Sequence, residues 1–505
     1  MGMDHAPSDS VLAPPSWETA WPLPVPPEPP LAPPRRRRRW PVVAIVAALV
    51  ASAAGVAGWT MRSSAPGHPS AWDPRVADLV KFVEQQRGMI YRHPVYVDFL
   101  TDAEFRKQVT SSDSDLSGSD RKQLEASTGM LRALGLIDGD VNLLNAMNTL
   151  QGEGVLAFYD PATQRVRVRG TDLTVNLRGT LVHELTHALQ DQYFDLTREG
   201  SFPVDGQNDT YRPVFEGDAQ HVEHAWVAQL SEADQDAYAQ GEQAQGDSEN
   251  LDGVPDALVQ FFAAPYNFGE PFVDALVAAV GEKAVDDALR DPPKSDAELL
   301  DPFRFLNHET VKDVAVPKLA AGEKKTEDGA FGAIALYLVL AQRMDPGQAL
   351  AATDNWGGDA YVNYTRQGKG CVRADFTGKD AAATTALAGT LTGWAKSLPS
   401  GAATVARQGD LIELNSCDPG ASAAKSATGD LSTAVGVAVT RTQLAQTFMN
   451  QRMTAAEAQC TARHFLAAFS PADLTAFVNA QSEADLPPSI ETKARSAAQA
   501  CIATK

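Results

Sequence analysis

The chain has 505 residues, a formal net charge of −21 and an apolar content of 44%. It is too long for one compact domain, and its apolar content is that of an ordinary globular protein. A nucleic-acid-binding surface needs net or clustered positive charge, and the dense basic run of this acidic chain is confined to Arg35–Arg39. Nucleic acid is therefore not an expected partner.

The N-terminal region has the composition of a tail followed by a membrane anchor. Residues 1–39 are rich in proline and end in the arginine run, which predicts a disordered cytoplasmic tail. Residues 40–61 carry no charge and are long enough to cross a hydrocarbon core about 30 Å thick. The arginines on one flank predict a cytoplasmic N-terminus. A signal peptide cleaved near Ala51-Ser52-Ala53 is the alternative.

The first part of the exported region predicts a helix and a small sheet. Asp73 followed by Pro74 predicts the start of an amphipathic helix. The runs 155–159 and 165–169, separated by a turn, predict a β-hairpin. The second arm alternates Arg and Val, which predicts a half-buried outer strand. Such an edge can align an extended peptide, or it can be a rim that its arginines protect from aggregation.

The segment from Leu181 to Gln190 contains the pattern H-E-x-x-H. Residues four apart lie one above the other on a helix, so His183 and His187 can bind one zinc ion together. Glu184 lies about 100° further round the helix, where it can act as general base. A core helix with two incidental histidines is the alternative interpretation.

Catalytic zinc usually takes three protein ligands. Metzincin spacing is excluded because Tyr193 stands where the third histidine would be. The next strong helix, Val214 to Leu230, offers a later carboxylate or histidine: Glu216, His221, Glu223 and His224. Glu216 is preferred because Gly217 and Ala219 would let its helix approach the motif helix closely, and Glu223 is the alternative.

Three other side chains near the motif could support the site. His221 or His224 could donate a hydrogen bond to a substrate oxyanion, although a surface position suits each equally well. Asp191 could orient a zinc-bound imidazole, or it could be an exposed acid at the helix end.

The four cysteines are placed in the second half of the chain. An exported location permits disulfides, and the sequence order suggests the pairs Cys371–Cys417 and Cys460–Cys501. None has the C-x-x-C spacing of a zinc ribbon or redox site, so structural crosslinks are predicted.

The string HELTHALQDQYFDL, from His183 to Leu196, is followed by Glu216-Gly217-Asp218-Ala219. Together they resemble a group of largely uncharacterised, membrane-anchored bacterial proteins of gluzincin type, over roughly residues 75–420. The resemblance implies a zinc-peptidase-like core with His183, His187 and Glu216 as ligands and Glu184 as base. Thermolysin-like enzymes carry an acid four residues after the ligand glutamate, where this chain has Gln220.

The predicted fold is α+β and mainly helical, with a zincin-like core, a small sheet beside the HExxH helix and a C-terminal helical module. The predicted divisions are the tail (1–39), a transmembrane helix (40–61), a linker (62–72), the metallopeptidase core (73–310), a helical and β extension (311–418), a second linker (419–434) and the helical module (435–505).

The predicted function is that of a membrane-anchored, extracytoplasmic zinc metallopeptidase with polypeptide substrates. A catalytically inactive, zinc-binding scaffold for envelope partners and a zinc hydrolase of cell-wall amide bonds are the alternatives.

Overall fold

A computed structural model describes residues 67–110, 116–248, 251–423, 429–480 and 490–502. The predicted tail (1–39), the predicted transmembrane helix (40–61) and the first part of the linker at 62–72 lie outside the described residues. Within the described ranges, no helix combines the length and the apolar character that a membrane crossing requires.

The described chain is mixed α+β with 57% helix and small sheets, which confirms the predicted α+β, mainly helical class. The helices of the first half are α1 (Ala77–Arg87), α2 (Asp102–Val109), α3 (Gly118–Ala133), α4 (Leu143–Gly154), α5 (Val175–Phe194), α6 (Asp205–Val227), α7 (Glu232–Ser248), α8 (Asp256–Ala279) and α9 (Glu282–Arg290). Those of the second half are α10 (Ala297–Leu300), α11 (Pro302–Leu306), α12 (Ala333–Ala341), α13 (Pro346–Thr353), α14 (Ala381–Ser397), α15 (Leu431–Asn450), α16 (Ala455–Ala467), α17 (Pro471–Val478) and α18 (Ile490–Ile502).

The strands form two sheets. Strands β1 (Tyr96–Leu100), β2 (Ala157–Asp160) and β3 (Arg165–Arg169) make a three-stranded sheet in the order β1-β3-β2. Strands β4 (Lys324–Gly329), β5 (Trp356–Arg366), β6 (Lys369–Gly378), β7 (Ala403–Gln408) and β8 (Leu411–Cys417) make a five-stranded sheet in the order β4-β5-β6-β8-β7.

The predicted hairpin is present as β2 and β3, but the predicted outer position of its second arm is wrong. β3 is the central strand, because β1 pairs with it in parallel on its other side. Its arginines are neutralised by acids from neighbouring elements: Arg165 binds Asp98 at 2.6 Å and Arg167 binds Asp160 at 2.8 Å. The edge strands are therefore β1 and β2, and β2 is the edge strand that packs against the motif helix.

The motif helix α5 is almost entirely buried. It begins after Thr174, whose hydroxyl accepts the N–H of Leu177 at 3.2 Å, and it ends at Asp195, which has a φ of 59°. It packs against β2, α1, α6 and α7. A helix surrounded in this way holds its polar side chains in fixed positions between other elements.

The backbones of helices α6 and α8 come very close together at two glycines, Gly217 and Gly269. A Cβ atom placed on Gly217 would lie 2.1 Å from the carbonyl carbon of Gly269, and one placed on Gly269 would lie 2.1 Å from the carbonyl oxygen of Pro213. Any larger side chain at either position would force the helices apart. Gly217 thus permits the approach of α6 to α8, whereas the sequence pattern predicts an approach to the motif helix.

Two acids hold the start of the apolar helix α12. Asp296 accepts the N–H groups of Ala333 at 2.7 Å and Ile334 at 2.9 Å. Asp359, the acid of the Trp-Gly-Gly-Asp turn, accepts the N–H of Phe331 at 2.5 Å and the indole N–H of Trp356 at 2.6 Å. The turn therefore supports a buried helix N-terminus.

Both predicted cysteine pairs lie at disulfide distance. Cys371 faces Cys417 across β6 and β8, and Cys460 in α16 is joined to Cys501 in α18. The C-terminal helices also contact the rest of the chain, since the hydroxyl of Tyr337 donates to the carbonyl of Ala434 in α15 at 2.6 Å.

We expect the double substitution Cys460→Ser and Cys501→Ser to lower the free energy of unfolding by about 4 kcal/mol. The crosslink closes a loop with a sequence separation of 41, and loss of loop closure raises the entropy of the unfolded chain. Urea unfolding of the protein, followed by circular dichroism, measures the change. An unchanged unfolding midpoint would contradict a stabilising crosslink.

Asp359 should make stability depend on pH. Burial raises the pKa of Asp359 to about 7, above the value near 3.8 of an unfolded aspartate. Its contribution to stability is therefore complete below about pH 4 and is lost as the pH rises through 7, by up to about 1.4 kcal/mol per pH unit. Asp359→Asn should flatten the slope of unfolding free energy between pH 4 and 7. The exposed Asp410→Asn is the control, and equal slopes in both variants would refute the assignment.

Candidate metal centre

The structure brings together the three side chains that the sequence analysis proposes as metal ligands. His183 and His187 lie one turn apart on α5, and Glu216 projects from α6. Each Nε2 atom lies 3.1 Å from the same carboxylate oxygen, Oε2 of Glu216. The three ligand atoms lie within 4.8 Å of one another, and all three side chains are buried. Two imidazole nitrogens and one carboxylate oxygen thus share a small volume.

The other nitrogen of each imidazole is held by a separate side chain. His183 Nδ1 lies 3.4 Å from Oε2 of Glu223, and His187 Nδ1 lies 2.9 Å from Oε1 of Gln190. Such contacts fix the ring orientation and leave Nε2 free to face a metal ion. Glu223, the alternative third ligand, therefore contacts the opposite side of the His183 ring from Glu216. Glu223 lies two turns after Glu216 on the same helix face, and this spacing is the sequence feature that indicates its contact with His183.

Gln190 is itself fixed by a buried polar network. Its Nε2 donates to the carbonyl of Phe215 at 2.9 Å and to Oδ2 of Asp218 at 2.8 Å. The same Asp218 oxygen lies 3.2 Å from Nε of Arg87, whose side chain is 1% exposed. Arg87 comes from α1, about 100 residues before the motif, so no local sequence pattern connects it with the site.

Glu184 faces the site from the position next to His183. Its Oε2 accepts the backbone N–H of Tyr159 in β2 at 2.6 Å, so the hairpin fixes the carboxylate. Burial raises the pKa of Glu184 to about 7, the neighbouring Glu216 adds to the rise, and His187, His183 and the Tyr159 N–H oppose it. A carboxylate with this pKa can accept and release a proton near neutral pH.

The charges of the site favour a bound cation. Burial would raise the pKa of Glu216, but His187 and His183 outweigh it and hold the pKa well below its ordinary value. Burial would lower the pKa of His183, but Glu216 and Glu223 outweigh it and hold the pKa well above its ordinary value. Three carboxylates thus surround two imidazoles in a buried space. This charge balance, with an N₂O donor set, fits a zinc ion.

The remaining candidates have other partners. His221 Nδ1 lies 2.7 Å from Asp274, and the ring also contacts Glu282 at 3.4 Å. His224 contacts Glu270. Asp191 is 8% exposed, so the interpretation as an exposed helix-end acid is wrong. It accepts the hydroxyl of Tyr159 at 2.8 Å and the N–H of Leu196 at 2.9 Å, which ties the hairpin to the end of α5.

A cleft opens beside the three ligands. The ring of Tyr266, from the Pro-Tyr-x-x-Gly segment of α8, lies 6.2 Å from that of His183. Burial and the charge of Glu216 raise the pKa of the Tyr266 hydroxyl well above the ordinary value. The cleft is lined by residues of α4, β2 and the segment between them, and of α5, α6, α7 and α8. They are Gly154, Val155, Leu156, Ala157, Thr180, His183, Glu184, Gln220, Glu223, His224, Tyr238, Glu242, Gln245 and Tyr266. A substrate in this cleft would therefore reach both Glu184 and the ligand cluster.

One other cluster in the described part of the chain has the composition of a metal site: Cys460, His464 and Cys501. Its two sulfur atoms are joined in a disulfide. Metal binding by cysteine requires the thiolate. The cluster around Glu216 is therefore the candidate metal centre.

Comparison with known proteins identifies no relative of this chain. No protein-family model, curated protein or solved structure matches this chain.

We expect Glu216→Ala to abolish stoichiometric zinc binding, because it removes the only oxygen that both Nε2 atoms face in the described site. Glu223→Gln should retain the metal with an affinity reduced about 10- to 100-fold, as is usual when a residue that orients a ligand is changed. Zinc content after dialysis and chelator competition measures both effects. A full zinc content in Glu216→Ala would overturn the assignment of this ligand.

Proposed function

We propose that this protein is a zinc-dependent metallopeptidase of gluzincin type with a zincin-like core. The observation that carries the proposal is the convergence of His183, His187 and Glu216 beside a general base, Glu184, in a cleft that solvent can enter. The same H-E-x-x-H spacing provides the ligands and the base of zinc peptidases.

His183, His187 and Glu216 hold the ion in this proposal. Zinc, when bound, supplies a Lewis acid that lowers the pKa of water towards about 7 and polarises a carbonyl group. Glu184 removes the proton of the attacking water and delivers it to the departing amine. Its fixed position, set by the N–H of Tyr159, suits both transfers.

The cleft wall suits an extended polypeptide. β2 is an edge strand of its sheet, and the segment from Gly154 to Ala157 lines the cleft. An extended peptide can add to such an edge through backbone hydrogen bonds, which would place a peptide bond near Glu184. The sequence pattern suggests β3 as the strand edge that could align a peptide; in this proposal that edge is β2.

The two disulfides support a location outside the cytoplasm, since such crosslinks persist in oxidising compartments. We propose that residues 40–61 anchor the chain in the cell membrane with the site on the outer side. A zinc-binding scaffold without catalysis would not require a carboxylate in the position of Glu184, and this favours an enzyme.

Glu184→Gln should lower kcat for peptide cleavage about 10²- to 10⁴-fold while zinc content is unchanged, because the amide cannot accept the proton. Cleavage of a mixed peptide library, followed by mass spectrometry alongside zinc analysis, measures both. Glu232→Gln, an exposed substitution at the start of α7, is the matched control. Undiminished cleavage by Glu184→Gln, or no cleavage by the parent protein, would sink the proposal.

A further inference from the structure

Helix α7 lies over the start of the motif helix, just before the metal ligands. It packs against α5 and also contacts α4. Two glycines make this close packing possible. A Cβ atom placed on Gly179 of α5 would lie 2.5 Å from Cε2 of Tyr238, and one placed on Gly241 of α7 would lie 2.6 Å from Cβ of Asn176. The position of α7 on α5 is therefore determined by close contacts on both helices.

Side chains of α7 also join it to both walls of the cleft. The wall formed by α6 is held through Tyr238, whose hydroxyl donates to Oε1 of Glu223 at 2.8 Å. The wall that leads into β2 is held through Gln245, whose Nε2 donates to the carbonyl of Gly154 at 2.9 Å. Tyr238, Glu242 and Gln245 line the cleft between these contacts. Helix α7 thus spans the cleft from one wall to the other.

The covered part of α5 is close to the metal ligands. Gly179 precedes His183 by four residues, which is about 6 Å along the helix axis. An extended chain advances about 3.3 Å per residue, so about two substrate residues fit between a bound ion and α7. The backbone edge before β2 is blocked at the same helix, because Gln245 occupies the carbonyl of Gly154.

We propose that α7 closes this end of the cleft, so that the protein accepts about two substrate residues on this side of the ion and cleaves polypeptides near one terminus. The proposal rests on the metallopeptidase function and adds its substrate class, which is short peptides and chain ends rather than the interior of long chains. The direction in which a peptide lies along β2 decides whether the closed side receives its N-terminal or its C-terminal residues.

Peptides with a zinc-binding group at one end test the closure without requiring cleavage. A C-terminal hydroxamate places its peptide on one side of the ion, and an N-terminal mercaptoacetyl group places its peptide on the other. Each series is lengthened with alanine, and Kd for the zinc-loaded protein is measured by calorimetry. We expect the affinity of one series to fall at least about tenfold beyond about two residues, whereas the other series shows no such limit. The limited series identifies the closed side.

Gly241→Val and Gln245→Ala should each relax the limit. The valine side chain would meet Asn176 and displace α7, and the alanine would release the carbonyl of Gly154. In both variants the long probes of the limited series should approach the affinity of the short ones. Zinc content and circular dichroism show that the metal site and the fold are intact. Gln240→Ala, an exposed substitution on α7, is the matched control and should keep the limit.

The same length dependence in both probe series, or a limit that persists unchanged in both variants, would overturn the closure by α7. If the protein cleaves the interior of long polypeptides and neither series is limited, this inference fails alone and the peptidase function stands. If one series is limited but no peptide of any length is cleaved, the peptidase function fails while the closed end of the cleft stands.

Discussion

The position of helix α6 determines the chemistry of the whole site. This one helix carries Glu216, Gln220 and Glu223, and a displacement by one turn would move each by about 5.4 Å and separate Glu216 from both imidazoles. Two contacts hold it in place. Its backbone meets α8 at Gly217 and Gly269, and its Asp218 is joined to the motif helix through Gln190. The close contact of backbone with backbone leaves no room for sliding.

Features with a local spacing could be predicted from the sequence. The four-residue interval of His183 and His187 identifies one helix face, and the structure brings both rings to Glu216. The hairpin and both cysteine pairs also follow from patterns close together or in simple order. In these cases the relevant geometry is set by a single element or by a small number of pairing choices.

Features that depend on distant pairing could not be predicted in this way. The central position of β3 follows from its pairing with β1, whose Asp98 is 67 residues away from Arg165. The contact of Arg87 with Asp218 likewise joins separate helices. A strand with alternating Arg and Val can lie at the edge or in the centre of a sheet, provided that its charges have counterions. The alternating pattern alone therefore does not distinguish an edge strand from a central strand.

The contact of Glu223 with His183 explains how a departure from the thermolysin-like pattern can leave the site intact. An imidazole that faces a metal through Nε2 needs an acceptor at Nδ1, but the acceptor can come from any residue on the adjoining face of α6. Glu223 meets this need three residues later than the expected acid. The position of the expected acid can therefore hold a neutral carboxamide, Gln220, because Glu223 already occupies the Nδ1 side of His183.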